Sequence, residues 1–465
     1  MAISSIFKAY DVRGLVPDEL DEDMAWNIGL TYAQQFRTRR VVVGRDARIS
    51  SAALSEALTN GLRAAGAEVF DIGLCGTEEV YFATFHLKTD GGIMITASHN
   101  PANYNGMKFV RENARPVSSD SGLSEIAARV MKAARKPSVG SKGKYKRLNV
   151  RDAYVRHVLR FIEENSLSSM KVVANAGNGC AGPVFDAIAS CLPLKVTRLL
   201  HEPDGTFPNG VPNPLLPENR AYTRAAVVRE GAQLGIAWDG DFDRCFFYDE
   251  RGQFVEGYYL VGLLAQSFLE KSRGDRIVHD PRLTWNTIDM VHKAGGTPVL
   301  SRCGHAFIKE VMRSADAIYG GEMSGHHYFR EFAYCDSGMI PWLLVLELIS
   351  RTGQPLSKLV EERLRLFPVS GEINQVVSDS VEAMRAVEAY YRTDTGSISH
   401  FDGLSMEFDS WRFNLRPSNT EPLLRLNVES RANPPLMESR TAEILGFIAG
   451  LPDSDGTRQC GRKSG

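Results

Sequence analysis

Ser98 lies in Thr96-Ala97-Ser98-His99-Asn100-Pro101, directly after the apolar run Ile93-Met94-Ile95. A hydroxyl beside an imidazole, at the end of an apolar strand and before a proline, is a nucleophile carried into a cleft by a turn. Solvated Ser-His turns are common, so Ser98 draws its weight from other polar loops. Asp239-Gly240-Asp241-Phe242-Asp243-Arg244 follows the strand pattern of residues 234–238. Three carboxylates at alternate positions repel one another unless a cation lies between them. Oxygen donors at this density suit Mg²⁺, Mn²⁺ or Ca²⁺. An EF-hand would use 239, 241 and 243 with Glu250 at its twelfth place, but Arg244 stands where its glycine is required and residues 245–248 read as a strand. A phosphatase with Asp239 as nucleophile and Asp241 as acid is a second alternative. A metal site fits best, and a phosphoryl oxygen on Ser98 would add a ligand to it.

Arg416-Pro417-Ser418-Asn419-Thr420-Glu421-Pro422 gathers a guanidinium, hydroxyls, an amide and turn N–H groups. That set matches a bound phosphate, or equally a hydrogen-bonded turn. Glu322 and Ser324, in a glycine-flanked loop ending at His326, suit the vicinal hydroxyls of a sugar. Arg13 and Tyr10 stand in Lys8-Ala9-Tyr10-Asp11-Val12-Arg13-Gly14, where a surface ion pair is the plain alternative. Lys108 follows Ser98 by ten residues, a spacing that lets it return to the same cleft or leaves it exposed.

Positioning these loops requires a repeated scaffold. Strand, helix and strand patterns recur at residues 40–43, 50–65 and 68–72, at 171–174, 183–190 and 195–199, and at 276–278, 284–293 and 297–300. Such βαβ units imply parallel strands, with ligands beyond their carboxyl ends. Ser50 or Ser51 is expected to cap the first helix. Residues 371–377, 398–408, 411–415 and 423–428 alternate as strands of a mostly antiparallel sheet, with helices at 381–392 and 437–449. The expected organisation is a first α/β domain over 1–135, a basic solvated linker over 136–150, α/β domains over 151–252 and 253–366, an α+β domain over 367–451 and a disordered tail over 452–465.

At 465 residues, 43% hydrophobic and 24% charged, the chain reads as a multidomain globular protein. A net charge of −2 argues against a nucleic-acid or membrane-surface binder. No apolar run spans a bilayer, and the first residues lack a signal-peptide pattern. Seven scattered cysteines with no C-x-x-C pair fit reduced cytoplasmic thiols.

Together these loops resemble the α-D-phosphohexomutase family, most closely its bacterial phosphomannomutase/phosphoglucomutase branch. The likeness runs from Lys8 to about Glu429, with the motifs in the family's order, and is carried by residues 96–101 and the aspartates 239–243. It implies an α/β fold: three α/β domains with mixed, largely parallel sheets and a smaller C-terminal α+β domain around a central cleft. It implies that Ser98 carries a phosphoryl group and holds one Mg²⁺ with Asp239, Asp241 and Asp243. Arg13 and Arg244 would stabilise the transferring charge, and Lys108 and His99 would move protons. His305 matches an active-site histidine of the third domain. Tyr10, Arg282, Glu322, Ser324 and His326 would bind the sugar phosphate, with Arg416, Ser418, Asn419 and Thr420 on the non-reacting phosphate. Two positions depart from the common pattern, since lysine often stands at Arg282 and glycine at Asn419.

The resemblance further implies interconversion of mannose 6-phosphate and mannose 1-phosphate through a hexose 1,6-bisphosphate that is also the activator, supplying GDP-mannose. Dual action on glucose phosphates is the alternative, with a metal-dependent sugar phosphatase and a non-enzymatic sugar-phosphate binder behind it. Glucosamine-specific members usually carry glutamine where Met323 stands. The expected partners are a hexose phosphate and, at most, a second copy of the chain (monomer or homodimer), with no nucleic acid and no membrane.

Overall fold

The computed structural model describes residues 6–132, 143–393, 396–417 and 423–451. The chain divides into two compact units. The first comprises Met1–Val255, Lys309–Gly320 and Ser324–Ser357; the second comprises Glu256–Ile308, Gly321–Met323 and Lys358–Gly465.

The first unit holds a six-stranded mixed sheet in the order Val12–Leu15, Tyr104–Arg111, Gly91–Ile95, Arg40–Arg45, Glu68–Leu74, Tyr145–Arg147. The central strands are parallel and apolar on both faces, as sheets covered by helices require. Val41, Val43, Ile93 and Ile95 pack with Ile28, Tyr32, Leu54, Leu58 and Leu62 from the helices Glu22–Phe36 and Ser51–Ala64. A second sheet runs Phe254–Val255, Cys245–Tyr248, Leu234–Trp238, Met170–Asn175, Leu194–Leu199, again with a parallel centre. The antiparallel pair His327–Phe329 and Cys335–Asp336 also belongs to the first unit.

The second unit contains the parallel pair Arg276–His279 and Thr297–Leu300. It also contains an antiparallel sheet in the order Ile373–Val376, Leu423–Ser430, Trp411–Pro417, Leu404–Glu407, Ser397–Ser399. Helices Ser380–Tyr391 and Pro434–Ala449 pack on the latter through Val387, Ile444 and Ile448.

Three expectations need correction. Residues 398–408 form two strands, because Asp402-Gly403 turns the chain with Gly403 at φ 75°. Neither serine caps the helix Ser51–Ala64: Ser50 makes no capping bond, and the Ser51 hydroxyl donates to Asp46. Within the basic stretch 136–150, Tyr145–Arg147 is not a plain connection but a parallel edge strand beside Val69–Asp71. The tail 452–465 lies outside the described residues.

Candidate active site

Strand Gly91–Ile95 ends at Thr96, whose hydroxyl accepts the Ser98 N–H at 2.9 Å. Ser98 then takes φ 49°, a left-handed conformation that non-glycine residues adopt sparingly. Two arginines hold the turn by its carbonyls. Arg48, 2% exposed, donates to the carbonyls of Ser98 at 3.0 Å, Asn100 at 2.6 Å, Pro101 at 2.7 Å and Tyr104 at 2.9 Å. Arg13 donates to the Ala97 carbonyl, to Asn100 Oδ1 at 2.7 Å and to Asp11 Oδ2 at 3.0 Å. It is therefore part of this loop and not a surface ion pair. The next strand runs antiparallel, with Lys108 opposite Met94, and so returns Lys108 to the same end of the sheet.

The aspartate loop, at the end of strand Leu234–Trp238, meets this turn. Ser98 Oγ donates to Asp239 Oδ2 at 2.8 Å and lies 3.1 Å from His99 Nδ1. Arg244 grips the same Asp239 oxygen through Nε at 2.9 Å and Nη2 at 2.8 Å. Its Nη2 also lies 3.5 Å from Ser98 Oγ and contacts His99 Nδ1. Lys108 Nζ lies 2.7 Å from Asp241 Oδ2 and against Asp243 Oδ2. Carboxylate oxygens of Asp239, Asp241 and Asp243 fall within 4.8 Å of one another, all three residues being buried. Asp241 Oδ1 and Asp243 Oδ1 have no hydrogen-bond partner among the described residues. Buried carboxylate oxygens left without donors fit a hard divalent cation.

Electrostatics follow from this crowding. Burial pushes Asp241 up, but the Lys108 ammonium outweighs it and the carboxyl ends below its ordinary range. Asp243 is raised by burial and by Asp241. Lys108 loses stabilisation to burial yet is raised by Asp241 and Asp243. His99 is held well below its ordinary value by desolvation, then by Arg244 and Arg13.

The aspartate loop is braced from both sides. Thr77 donates its N–H to the Asp241 carbonyl at 3.1 Å and its hydroxyl to Asp241 Oδ2 at 2.5 Å. Phe242, fully buried at φ 45°, sits where two glycines leave space. A Cβ on Gly76 would lie 2.1 Å from its ring, and one on Gly338 would lie 2.3 Å from its carbonyl oxygen. Trp238 Nε1 donates to the Gly338 carbonyl at 2.8 Å. Glu78 joins the two braces. Fully buried, it accepts from the Tyr154 hydroxyl, Ser337 Oγ at 2.9 Å, Gly338 N at 2.5 Å and Met339 N at 3.3 Å. It thereby caps the approach to helix Ile340–Thr352.

His326 belongs beside the aspartates. Its Nδ1 lies 3.0 Å from Asp336 Oδ2 and 4.0 Å from Asp243 Oδ1. Asp336 Oδ1 is 2.6 Å from Lys309 Nζ, which sits 3.9 Å from the centre of the Tyr81 ring. Ser324 shares this unit and is half-buried, as is Tyr10.

In the second unit Arg282 is buried. It pairs with Asp280 at 3.0 and 2.8 Å and reaches Glu322 Oε1 at 3.3 Å. Glu322 also accepts the Gly304 N–H at 3.1 Å. His305, 9% exposed, opens the helix His305–Ala315. Arg416 contacts Glu372 at 3.2 Å. Ser418, Asn419 and Thr420 lie outside the described residues.

Arg48, Thr77, Glu78, Asp336 and Lys309 were not singled out by sequence. Only Arg48 left a local signal, an Asp-x-Arg directly after an apolar strand.

Four domain models match the chain. Phosphoglucomutase/phosphomannomutase alpha/beta/alpha domain I covers residues 4–136, domain II 152–252, domain III 256–367 and the C-terminal domain 372–446. The chain is 58% identical over 449 residues to a phosphomannomutase of Salmonella montevideo, covering 95% of this chain and 98% of the relative. It is 58% identical over 444 residues to a protein of Xanthomonas campestris named phosphohexose mutases, covering 96% and 99%. A crystal structure of a phosphoglucomutase/phosphomannomutase family protein from Burkholderia thailandensis superposes with a TM-score of 0.86 at 32% identity, over 96% of this chain and 98% of that one. With a serine hydroxyl, three aspartates and two arginines gathered in one unit, and every domain model matched in order, the chain belongs to the phosphoglucomutase/phosphomannomutase family, the α-D-phosphohexomutases.

Proposed function

We propose that the protein is a phosphomannomutase that interconverts mannose 6-phosphate and mannose 1-phosphate through a phosphorylated Ser98. The supporting observation is the 2.8 Å contact between Ser98 Oγ and Asp239 Oδ2, inside the aspartate cluster. Asp239, Asp241, Asp243 and a phosphoryl oxygen on Ser98 would hold Mg²⁺. When bound, the cation neutralises phosphate charge and polarises the P–O bond.

In the forward half, the sugar hydroxyl attacks phosphorus, its bond to Ser98 Oγ breaks, and the hydroxyl proton passes to a base. A hexose 1,6-bisphosphate results. After it turns over, Ser98 Oγ takes the other phosphoryl group and the proton returns to the sugar. Arg244 and Arg13, both in contact with the Ser98 turn, would stabilise charge on the transferring group. Lys108, ion-paired and raised, donates a proton or hydrogen bond better than it accepts a proton. His326, oriented by Asp336, is the better proton acceptor. Glu322 and Arg282 would hold the ring, and Arg416 the non-reacting phosphate.

A phosphatase using Asp239 fits poorly, because one oxygen of Asp239 already serves Arg244 and Ser98. Action on glucose phosphates as well is compatible with, but not favoured by, the names of the relatives, one of which is the broader phosphohexose mutases of Xanthomonas campestris. The described cysteines are free, in keeping with a cytoplasmic enzyme. Among the described residues no helix is long and apolar enough to cross a membrane.

The test combines mass measurement with assays on mannose and glucose phosphates. The protein should carry one phosphoryl group, lost on incubation with hexose phosphate, and Ser98→Ala should lose both the group and the isomerisation. Persisting hydrolysis in Ser98→Ala would instead point to a phosphatase.

A further inference from the structure

Lys309 is fully buried, although a lysine ordinarily carries its ammonium out to water. It stands on helix His305–Ala315 and meets two partners. Its Nζ lies 2.6 Å from Asp336 Oδ1 and 3.9 Å from the centre of the buried Tyr81 ring. Stability alone does not account for such a pair, since exchanging a buried ion pair for apolar groups is often neutral or favourable. The other Asp336 oxygen gives it a use. Oδ2 lies 3.0 Å from His326 Nδ1, and a second carboxylate oxygen, Asp243 Oδ1, stands 4.0 Å from the same nitrogen. His326 Nδ1 thus faces two acceptors. Asp243 Oδ1 has no hydrogen-bond partner among the described residues and is one of the oxygens suited to a cation in the aspartate loop. The antiparallel pair brings Asp336 to the imidazole, setting it opposite Tyr328, the second residue after His326.

We propose that Lys309 is a positioning residue that directs the His326 Nδ1 proton to Asp336 and keeps it off Asp243. This rests on the mutase reading above, and it adds Lys309 and Tyr81 to it. With Oδ1 tied to Lys309, Asp336 presents Oδ2 to the imidazole. Donating Nδ1–H there fixes the tautomer whose lone pair is on Nε2. That nitrogen takes the proton of the sugar hydroxyl as the hydroxyl oxygen bonds to phosphorus. Asp243 Oδ1 stays available to the cation. Were the Nδ1 proton to turn to Asp243, proton acceptance and metal binding would draw on one carboxylate. The Tyr81 ring adds a cation–π contact that holds the ammonium in place. Tyr81 lies four residues after Thr77 on helix Thr77–His86, so the two share a face. Thr77 braces Asp241 and Tyr81 steadies the support of His326, so one helix face serves both the metal ligand and the proton acceptor.

The experiment compares wild type and Lys309→Met for Mn²⁺ binding by electron paramagnetic resonance and for kcat and KM on mannose 6-phosphate. Lys309→Met should bind Mn²⁺ about tenfold more weakly and lose about tenfold in kcat with KM little changed. Wild-type Mn²⁺ affinity in the folded variant overturns the proposal, since Lys309 would then serve packing alone. If Lys309→Met fails to fold because Asp336 is stranded without a counter-charge, the double variant Lys309→Met/Asp336→Asn leaves no buried charge unpaired. Its amide is a poorer acceptor than Asp243, so Mn²⁺ should again bind about tenfold more weakly; unchanged affinity there is equally fatal. The wild-type protein gives an independent reading. In nitrogen-15 histidine spectra the His326 signals, identified by their absence in His326→Gln, should show the tautomer protonated at Nδ1; protonation at Nε2 instead refutes the arrangement. A wild-type protein that never isomerises hexose phosphates defeats the mutase reading, while the tautomer and the Mn²⁺ titration still decide the role of Lys309.

Discussion

The Thr77 hydroxyl lies 2.5 Å from Asp241 Oδ2, across 164 residues of sequence. Because Lys108 takes the same oxygen at 2.7 Å, the other oxygen, Oδ1, is the one left for a cation. Partners of metal-binding carboxylates commonly govern affinity by about 10- to 100-fold. Thr77→Val should therefore weaken divalent-metal binding by about tenfold, read by Mn²⁺ titration in electron paramagnetic resonance and by the metal-dependent rise in melting temperature. Unaltered metal affinity would show that Thr77 only packs.

Arg48 touches the carbonyls of Ser98, Asn100, Pro101 and Tyr104. Its loss should let the nucleophile wander without removing any reacting group. A misplacement near 1 Å costs on the order of 100-fold in rate. Arg48→Met is expected to lower kcat by about that factor while KM changes little. An equal rise in KM would assign Arg48 to substrate binding.

Glu78 gives a pH signature. Burial raises its carboxyl from an ordinary 4.5 to about 8, against the pull of Tyr154, Ser337 and the Gly338 and Met339 N–H groups. Between those values the folded chain keeps a proton that the unfolded chain has released, so folding takes up a proton and stability falls as pH rises. Glu78→Gln, neutral throughout, should flatten that decline between pH 5 and 8 in melting-temperature scans. A wild-type slope retained in the variant would assign the dependence to another group.

Gly338→Ala would drive a methyl group against the Phe242 carbonyl, 2.3 Å from the ideal Cβ position. Overpacking of this kind costs about 1–3 kcal/mol. The expected result is a lower melting temperature together with weaker metal binding. A variant that loses stability but keeps its metal affinity would separate the brace from the aspartates.

Much of the scaffold was legible because parallel strands buried on both faces write themselves as short apolar runs, as at Val41-Val42-Val43 and Ile93-Met94-Ile95. The candidate site was legible because its residues cluster: three aspartates on alternate positions have few explanations. The braces were not. Thr77 and Glu78 are ordinary residues at a helix start, and their partners, Asp241, Tyr154 and Ser337, lie far along the chain. The Ser51 cap failed for a local reason, a nearby carboxylate at Asp46 outcompeting the helix for its hydroxyl. His326 was read with its sugar-binding neighbours, whereas Asp336, ten residues on, draws it to the aspartates.

The packing around Phe242 has a consequence for which ions the protein accepts. Magnesium sits about 2.0–2.1 Å from its oxygens and calcium about 2.3–2.6 Å, so calcium demands a loop able to breathe. With its ring against Gly76 and its carbonyl against Gly338, Phe242 is closely packed between the flanking aspartates. In the proposed metal site, a preference for the smaller cation would then rest on a phenyl ring and two glycines, none of them among the carboxylate donors.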